Sequence, residues 1–102
     1  MVMSEEFCQV GVIAFIFDED DRVLMEKRDV DGEDENRWGF IAGGKKSEES
    51  LVDAIEREVK EEVDAKFVPE RIFGMTDHES NRQENIWWTI IGFEGTVEGE
   101  VR

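Results

Sequence analysis

The chain has 102 residues, with 27 acidic against 12 basic side chains and a net charge of −15, which suits one domain over residues 1–102 and makes a nucleic-acid polymer a poor partner. A single cysteine, Cys8, excludes an internal disulfide and reads as a small core residue beside an apolar run. No signal peptide or apolar segment of membrane-spanning length is present, so a cytoplasmic protein without membrane contact is expected; the acidity suits either the gathering of divalent cations or life in high salt.

In chain order, Val10 to Phe17 (VGVIAFIF) is a near-continuous apolar run rich in β-branched residues, which reads as a central strand. The acidic cluster Asp18 to Arg22 reads as a solvated turn that closes a hairpin into Val23 to Arg28. Asp29 to Asn36 is a polar loop, and Trp38 to Ala42 is a short strand that delivers the chain to Gly43 and Gly44. Ser50, with Asp53 three residues on, gives a capping-box start, and Leu51, Ile55, Val59 and Val63 recur at helical spacing. Lys66 to Met75 contains a strand, with the lone proline, Pro69, marking an edge or bend. Thr76 to Asn85 reads as a polar loop, Ile86 to Phe93 as a strongly β-prone strand, and Glu94 to Arg102 as its continuation in strand or turn. Strands on both sides of one helix give an α+β fold with a mixed sheet.

The helix carries the chemistry. At about 100° per residue, Leu51, Val52, Ile55, Val59 and Val63 share one arc, and Glu58, Glu61 and Glu62 share the adjoining one. The carboxylates therefore border the buried stripe, while Asp53, Glu56 and Lys60 take the solvent side. Like charges at this spacing destabilise a helix by a few tenths of a kcal/mol per pair, and a bound cation reverses the sign. A solvated, salt-bridged helix is the plainer reading, because Asp53 to Arg57, Arg57 to Glu61 and Glu56 to Lys60 are each spaced four apart. That reading leaves Glu58 with no basic residue three or four positions away on either side.

The stretch from Gly43 to Ala65 resembles the Nudix box: a glycine, five residues, Glu, seven residues, Arg-Glu-aliphatic, one residue, Glu-Glu, one residue, Gly-aliphatic. Gly43, Glu49, Arg57, Glu58, Val59, Glu61, Glu62 and Ala65 fall on it in register. Two departures stand out. Asp64 occupies the later glycine position, where it is expected to take the left-handed C-cap conformation that Asp tolerates less well than Gly. The loop from the glycine pair to Glu49 is one residue shorter than usual, which puts the first glycine of the box at Gly43 rather than Gly44 and could shift Glu49 relative to the helix.

The resemblance implies an α/β/α Nudix-type sandwich, with the usual second helix beyond the point where this chain stops. The sheet face left bare is expected to be buried by a second copy, giving a homodimer. The resemblance also implies hydrolysis of the pyrophosphate linkage in a nucleoside diphosphate linked to a group X, with Mg2+ or Mn2+ as cofactor. Glu58, Glu61 and Glu62, with the Gly43 carbonyl, are the implied metal ligands; Glu58 is also the implied general base, oriented by Arg57 and Glu49. Hard cations prefer such oxygen donors, neutralise phosphate oxygens and lower the pKa of a bound water. For the substrate, Trp87 and Trp88 lie on opposite faces of a strand, so either one stacks on a base while the other packs or both pack, and Arg28 and Arg37 either reach a phosphate or stay on the surface. Trp38 reads as structural, and His78, the lone histidine, as a solvated loop residue. A second reading, motivated by the absent C-terminal segment and by Asp64, is a shortened scaffold that binds a nucleotide or protein partner without turnover. The three box glutamates favour the enzyme.

Overall fold

Strand β1 (Val10–Ile16) lies inside a mixed four-stranded sheet in the computed structural model, which describes residues 9–27, 38–79 and 87–99. Its antiparallel neighbour on one side is β4 (Ile41–Gly44), with Gly11 opposite Gly44 and Val12 opposite Gly43. On the other side it runs parallel to β6 (Trp87–Glu98), which in turn pairs antiparallel with β5 (Lys66–Glu79). The order β4-β1-β6-β5 leaves β5 at an edge. A separate ribbon joins β2 (Glu26–Lys27) to β3 (Trp38–Gly39).

The apolar run of β1 is divided between the two faces by strand alternation. Val12, Ala14 and Ile16 point to the one helix among the described residues, α1 (Leu51–Val63), and are buried there with Ile41, Ile55, Val59, Phe67 and Phe93. Phe67, Ile41, Ile55, Val12 and Val59 are fully enclosed, each contributing about 1.5–3 kcal/mol by leaving water. Ile13 and Phe15 point to the opposite face. There Phe15 meets Phe40 with ring centroids 4.8 Å apart and Phe73 at 4.7 Å, beside a groove of about 290 Å³. Phe73 and Met75 on this side of the molecule remain 60% and 72% exposed.

Helix α1 has defined ends. The Ser50 hydroxyl accepts a hydrogen bond from Asp53 N at 3.0 Å, and Ser50 N donates to the Asp53 carboxylate at 3.4 Å, so the capping box forms. Asp64 closes the helix at φ 52° and ψ 41°, the left-handed conformation expected of it, and its N–H reaches the Lys60 carbonyl. The Asp18 to Arg22 turn is tied by Asp18, whose carboxylate accepts from the N–H groups of Asp20 and Arg22, each at 2.9 Å.

Three boundaries differ from the sequence reading. The strand expected over Trp38 to Ala42 breaks at Phe40 into β3 and β4, and β4 continues through both glycines. The hairpin expected into Val23 to Arg28 reduces to a single bridge, Phe17 to Val23, and the short β2, which pairs with β3 instead. Strand β5 runs on to Glu79, so Thr76 to Glu79, His78 among them, belong to a strand. Their polarity suggested a loop, but the end of the β5–β6 hairpin exposes its side chains, and the pairing of Thr76 to Glu79 with Trp87 to Ile90 rests on backbone hydrogen bonds. Cys8, Arg28, Arg37, Ile86 and the expected loop Asp29 to Asn36 lie outside the described residues.

Candidate active site

Strand β4 carries the chain past the middle of α1 and ends on Gly43 and Gly44. Gly43 turns its bare side to the helix, where a Cβ would overlap the Glu58 carboxylate. Only glycine leaves that carboxylate room to lie against the loop backbone. Lys45 N donates to the Val10 carbonyl at 2.8 Å, which ties the exit of the loop to β1.

Arg57 organises the rest. Its Nε donates to Glu49 Oε2 at 3.0 Å and its Nη2 to Glu49 Oε1 at 2.7 Å, a two-point match of guanidinium fork and carboxylate. The same Nη2 reaches the Gly44 carbonyl at 2.9 Å. Nη1 donates to Glu58 Oε1 at 2.9 Å and, more loosely, to Glu61 Oε1 at 3.3 Å. Glu49 is further fixed by Lys46 N at 2.8 Å. The short loop therefore leaves Glu49 in reach of the helix.

The Glu49, Arg57 and Glu58 side chains are 13%, 22% and 12% exposed, whereas Glu61 is 53% exposed. The network is thus partly shielded from water, which strengthens each charged contact. Hydrogen bonds from Arg57, helped by the Lys46 N–H, hold the Glu49 carboxyl down to about 2. Arg57 is pushed up in return, first by Glu49 and then by Glu58 and Glu61. It stays a cation at any pH the protein meets.

Of the residues singled out in the sequence, the structure brings together Gly43, Glu49, Arg57, Glu58 and Glu61. Glu62 is exposed on the helix surface next to Glu61. Among the described residues, no group of three or more carboxylate, histidine or cysteine side chains is gathered closely enough to enclose a cation. The donors are of the right kind for a hard divalent ion, since Glu58 and Glu61 offer carboxylate oxygens and Glu58 sits against the Gly43 backbone in space that a Cβ would fill. Trp88 packs on Gly11 and Gly44, while its neighbour Trp87 is 58% exposed. Trp38 is 63% exposed on β3, so it is less enclosed than its structural reading implies. Arg28 lies outside the described residues. Two anchors of the network, the Gly44 carbonyl and the Lys46 N–H, were not singled out, because backbone groups leave no mark in a side-chain pattern.

The family model described as the NUDIX domain matches residues 8–102. With its mixed sheet, its box helix and its glycine-to-arginine network, the chain belongs to the Nudix family. Among solved structures it is similar to the MutT protein from Methanosarcina mazei Go1, at 27% identity and a TM-score of 0.76, over 92% of this chain and 67% of that one. A NUDIX hydrolase from Nitrosomonas europaea is 25% identical with a TM-score of 0.76, over 89% of this chain and 60% of that one. The E. coli ORF135 protein shares the fold, with a TM-score of 0.80 at 18% identity over 92% of this chain and 65% of that one. The chain spans 48% and 60% of the length of two Nitrosomonas europaea structures it matches. A comparison with curated proteins finds no match. Among the described residues, no helix is long and apolar enough to cross a membrane.

Proposed function

We propose that the chain hydrolyses the pyrophosphate linkage of a nucleoside diphosphate linked to a group X, with Mg2+ or Mn2+ bound, to yield a nucleoside monophosphate and phosphate-X or pyrophosphate. The observation that carries this reading is the Glu58 carboxylate, seated against Gly43 and held there by an Arg57 that Glu49 clamps from the loop side. Glu58, Glu61, Glu62 and the Gly43 carbonyl are the groups that would hold the ion. When bound, such an ion offsets phosphate charge and acidifies a coordinated water. Glu58 takes up the proton of the attacking water, and the clamp from Glu49 through Arg57 keeps its carboxylate from turning away. Trp88, beside the glycine loop, offers an aromatic surface to a base; Trp87 and Arg28 are the further substrate contacts in this reading.

A second reading, a scaffold that binds a nucleotide without turnover, draws on the tie of both Glu58 and Glu61 to one guanidinium nitrogen. A panel of nucleoside triphosphates, ADP-ribose, dinucleoside polyphosphates and NADH, assayed with Mg2+ or Mn2+, separates the two. Product release lost in Glu58→Gln supports the hydrolase, and release that persists in Glu58→Gln removes the assigned chemistry. Nucleotide binding by calorimetry with no product from any compound selects the scaffold. The bare sheet face around Phe73 and Met75 supports a homodimer; a lone monomer in sedimentation at micromolar concentration would eliminate it.

A further inference from the structure

The two glycines that end β4 are held from opposite faces of the sheet. Gly43 faces Glu58. Gly44 faces the other way, where a Cβ would lie 3.5 Å from Cη2 and Cζ3 of Trp88. The same indole reaches β1, since a Cβ at Gly11 would lie 3.5 Å from its Cε3. Gly11 and Gly44 are cross-strand partners, so the ring rests on a floor made of two residues without side chains. On the helix side, the Gly44 carbonyl accepts from Arg57 Nη2 at 2.9 Å. One residue of backbone therefore separates the Trp88 ring from the Arg57 guanidinium.

Glycine has more backbone freedom than any other residue, and two in succession leave the direction of their carbonyls to whatever packs on them. For Gly44 those neighbours are the β1 ladder on either side, with Gly43 opposite Val12 and Lys45 N–H bonded to the Val10 carbonyl, and the Trp88 ring above it. We propose that Trp88 is a positioning residue: by packing on Gly44 from the face opposite α1, it fixes the carbonyl that anchors Arg57, and through Arg57 it sets the direction of Glu58. Anything that moves the indole, including a flat ligand laid against it, then moves the acid network on the other side of the sheet. This inference rests on Arg57 and Glu58 being the working site, but its decisive tests need no turnover.

The experiment compares Trp88→Leu, Trp88→Phe and, as a control at an exposed position, Val52→Ala in the full chain, each checked for folding by circular dichroism. Two quantities are read: solvent exchange of the Arg57 Nη2 hydrogens, which bond the Gly44 carbonyl, by 15N NMR, and Mn2+ affinity by calorimetry. In Trp88→Leu the Nη2 hydrogens exchange faster and Mn2+ binds roughly 10-fold more weakly, as for other residues that support a ligand. Trp88→Phe and Val52→Ala stay close to the unsubstituted protein. A folded Trp88→Leu whose Arg57 Nη2 exchange is unchanged overturns the proposal. Should Trp88→Leu fail to fold, the reciprocal measurement decides: with Trp38 and Trp87 replaced by Phe, Arg57→Lys shifts the emission of the remaining Trp88, and an unmoved emission overturns the proposal equally. Failure of the unsubstituted protein to bind Mn2+ would count against the metal reading above, with the metal-free NMR and emission measurements still deciding the role of Trp88.

Discussion

Arg57 grips Glu49 through two hydrogen bonds, Nε to Oε2 at 3.0 Å and Nη2 to Oε1 at 2.7 Å, and so joins the loop that precedes α1 to the middle of the helix. The pair has a pH signature. The folded-state pKa of Glu49, about 2, lies below the ordinary value of 4.5, chiefly because Arg57 donates to it. A depressed carboxylate stabilises the folded state fully above its unfolded pKa, so this contribution is intact above about pH 4.5 and is lost as the pH falls toward 2. Thermal melts between pH 5 and pH 2.5 are expected to fall less steeply in Glu49→Gln than in the unsubstituted protein. Equal slopes would show that Glu49 is not the group responsible.

Gly43→Ala separates the site from the fold. The added Cβ meets the far end of the Glu58 side chain rather than backbone, so the carboxylate yields while the strand stays in place. Urea denaturation should show a stability change below about 1 kcal/mol, because alanine is compatible with this strand position. Hydrolysis by the same variant should drop about 100-fold, the order of loss that misplacing a catalytic group by an ångström brings. Normal turnover in a folded Gly43→Ala would show that Glu58 can work from elsewhere.

The core makes the opposite case. Ile55 and Phe67 are completely buried, and truncation leaves voids that the packed sheet and helix cannot close. Ile55→Ala should cost about 2–5 kcal/mol and Phe67→Ala about 3–5 kcal/mol in urea denaturation. Val52, on the same helix but 40% exposed, serves as the comparison. Its alanine variant should fall within about 0.5 kcal/mol of the parent.

Removing the hydroxyl at the start of α1, in Ser50→Ala, should cost about 1 kcal/mol, because it leaves the Asp53 N–H without its cap. Asp64→Gly is expected to change stability less than Ser50→Ala. Glycine relieves the left-handed strain at φ 52°, but it also loses the exposed Lys60 to Asp64 ion pair and gains unfolded-state freedom. Melting temperatures of the two variants, measured side by side, check the order.

Much of this architecture was legible in the sequence, and the residues show why. Ser50, Asp53 and the Leu51 to Val63 periodicity mark a helix whose ends and buried face depend on local rules, and both ends fall as read. Glu61 pairs with Arg57 at the four-residue spacing. Glu58 did not yield to the same reasoning. Neighbours one apart on a helix do not face each other, yet the long Arg57 side chain bends back to within 2.9 Å of it. Asp53, offered to Arg57 by spacing, goes to the N-cap instead, and Lys60 turns to Asp64. The split at Phe40 and the extension of β5 were hidden for a related reason. Strand pairing is a contact between distant segments, and the residues of Thr76 to Glu79 carry no apolar alternation to announce it.

Strand β5 is 14 residues long, lies at the sheet edge and carries Ile72, Phe73 and Met75 at 61%, 60% and 72% exposure. Such a strand is ordinarily a template for runaway stacking of one molecule on the next. Its pairing with β6 slips at Pro69/Arg71 and again at Ile72/Gly74, and Pro69 has no N–H to offer an incoming strand. The outer rim is therefore crooked just where its side chains are greasiest, and the regular run that follows ends in Asp77, His78 and Glu79 on a chain already at −15. Kinked backbone and mutual repulsion together oppose open-ended stacking of strands along this margin.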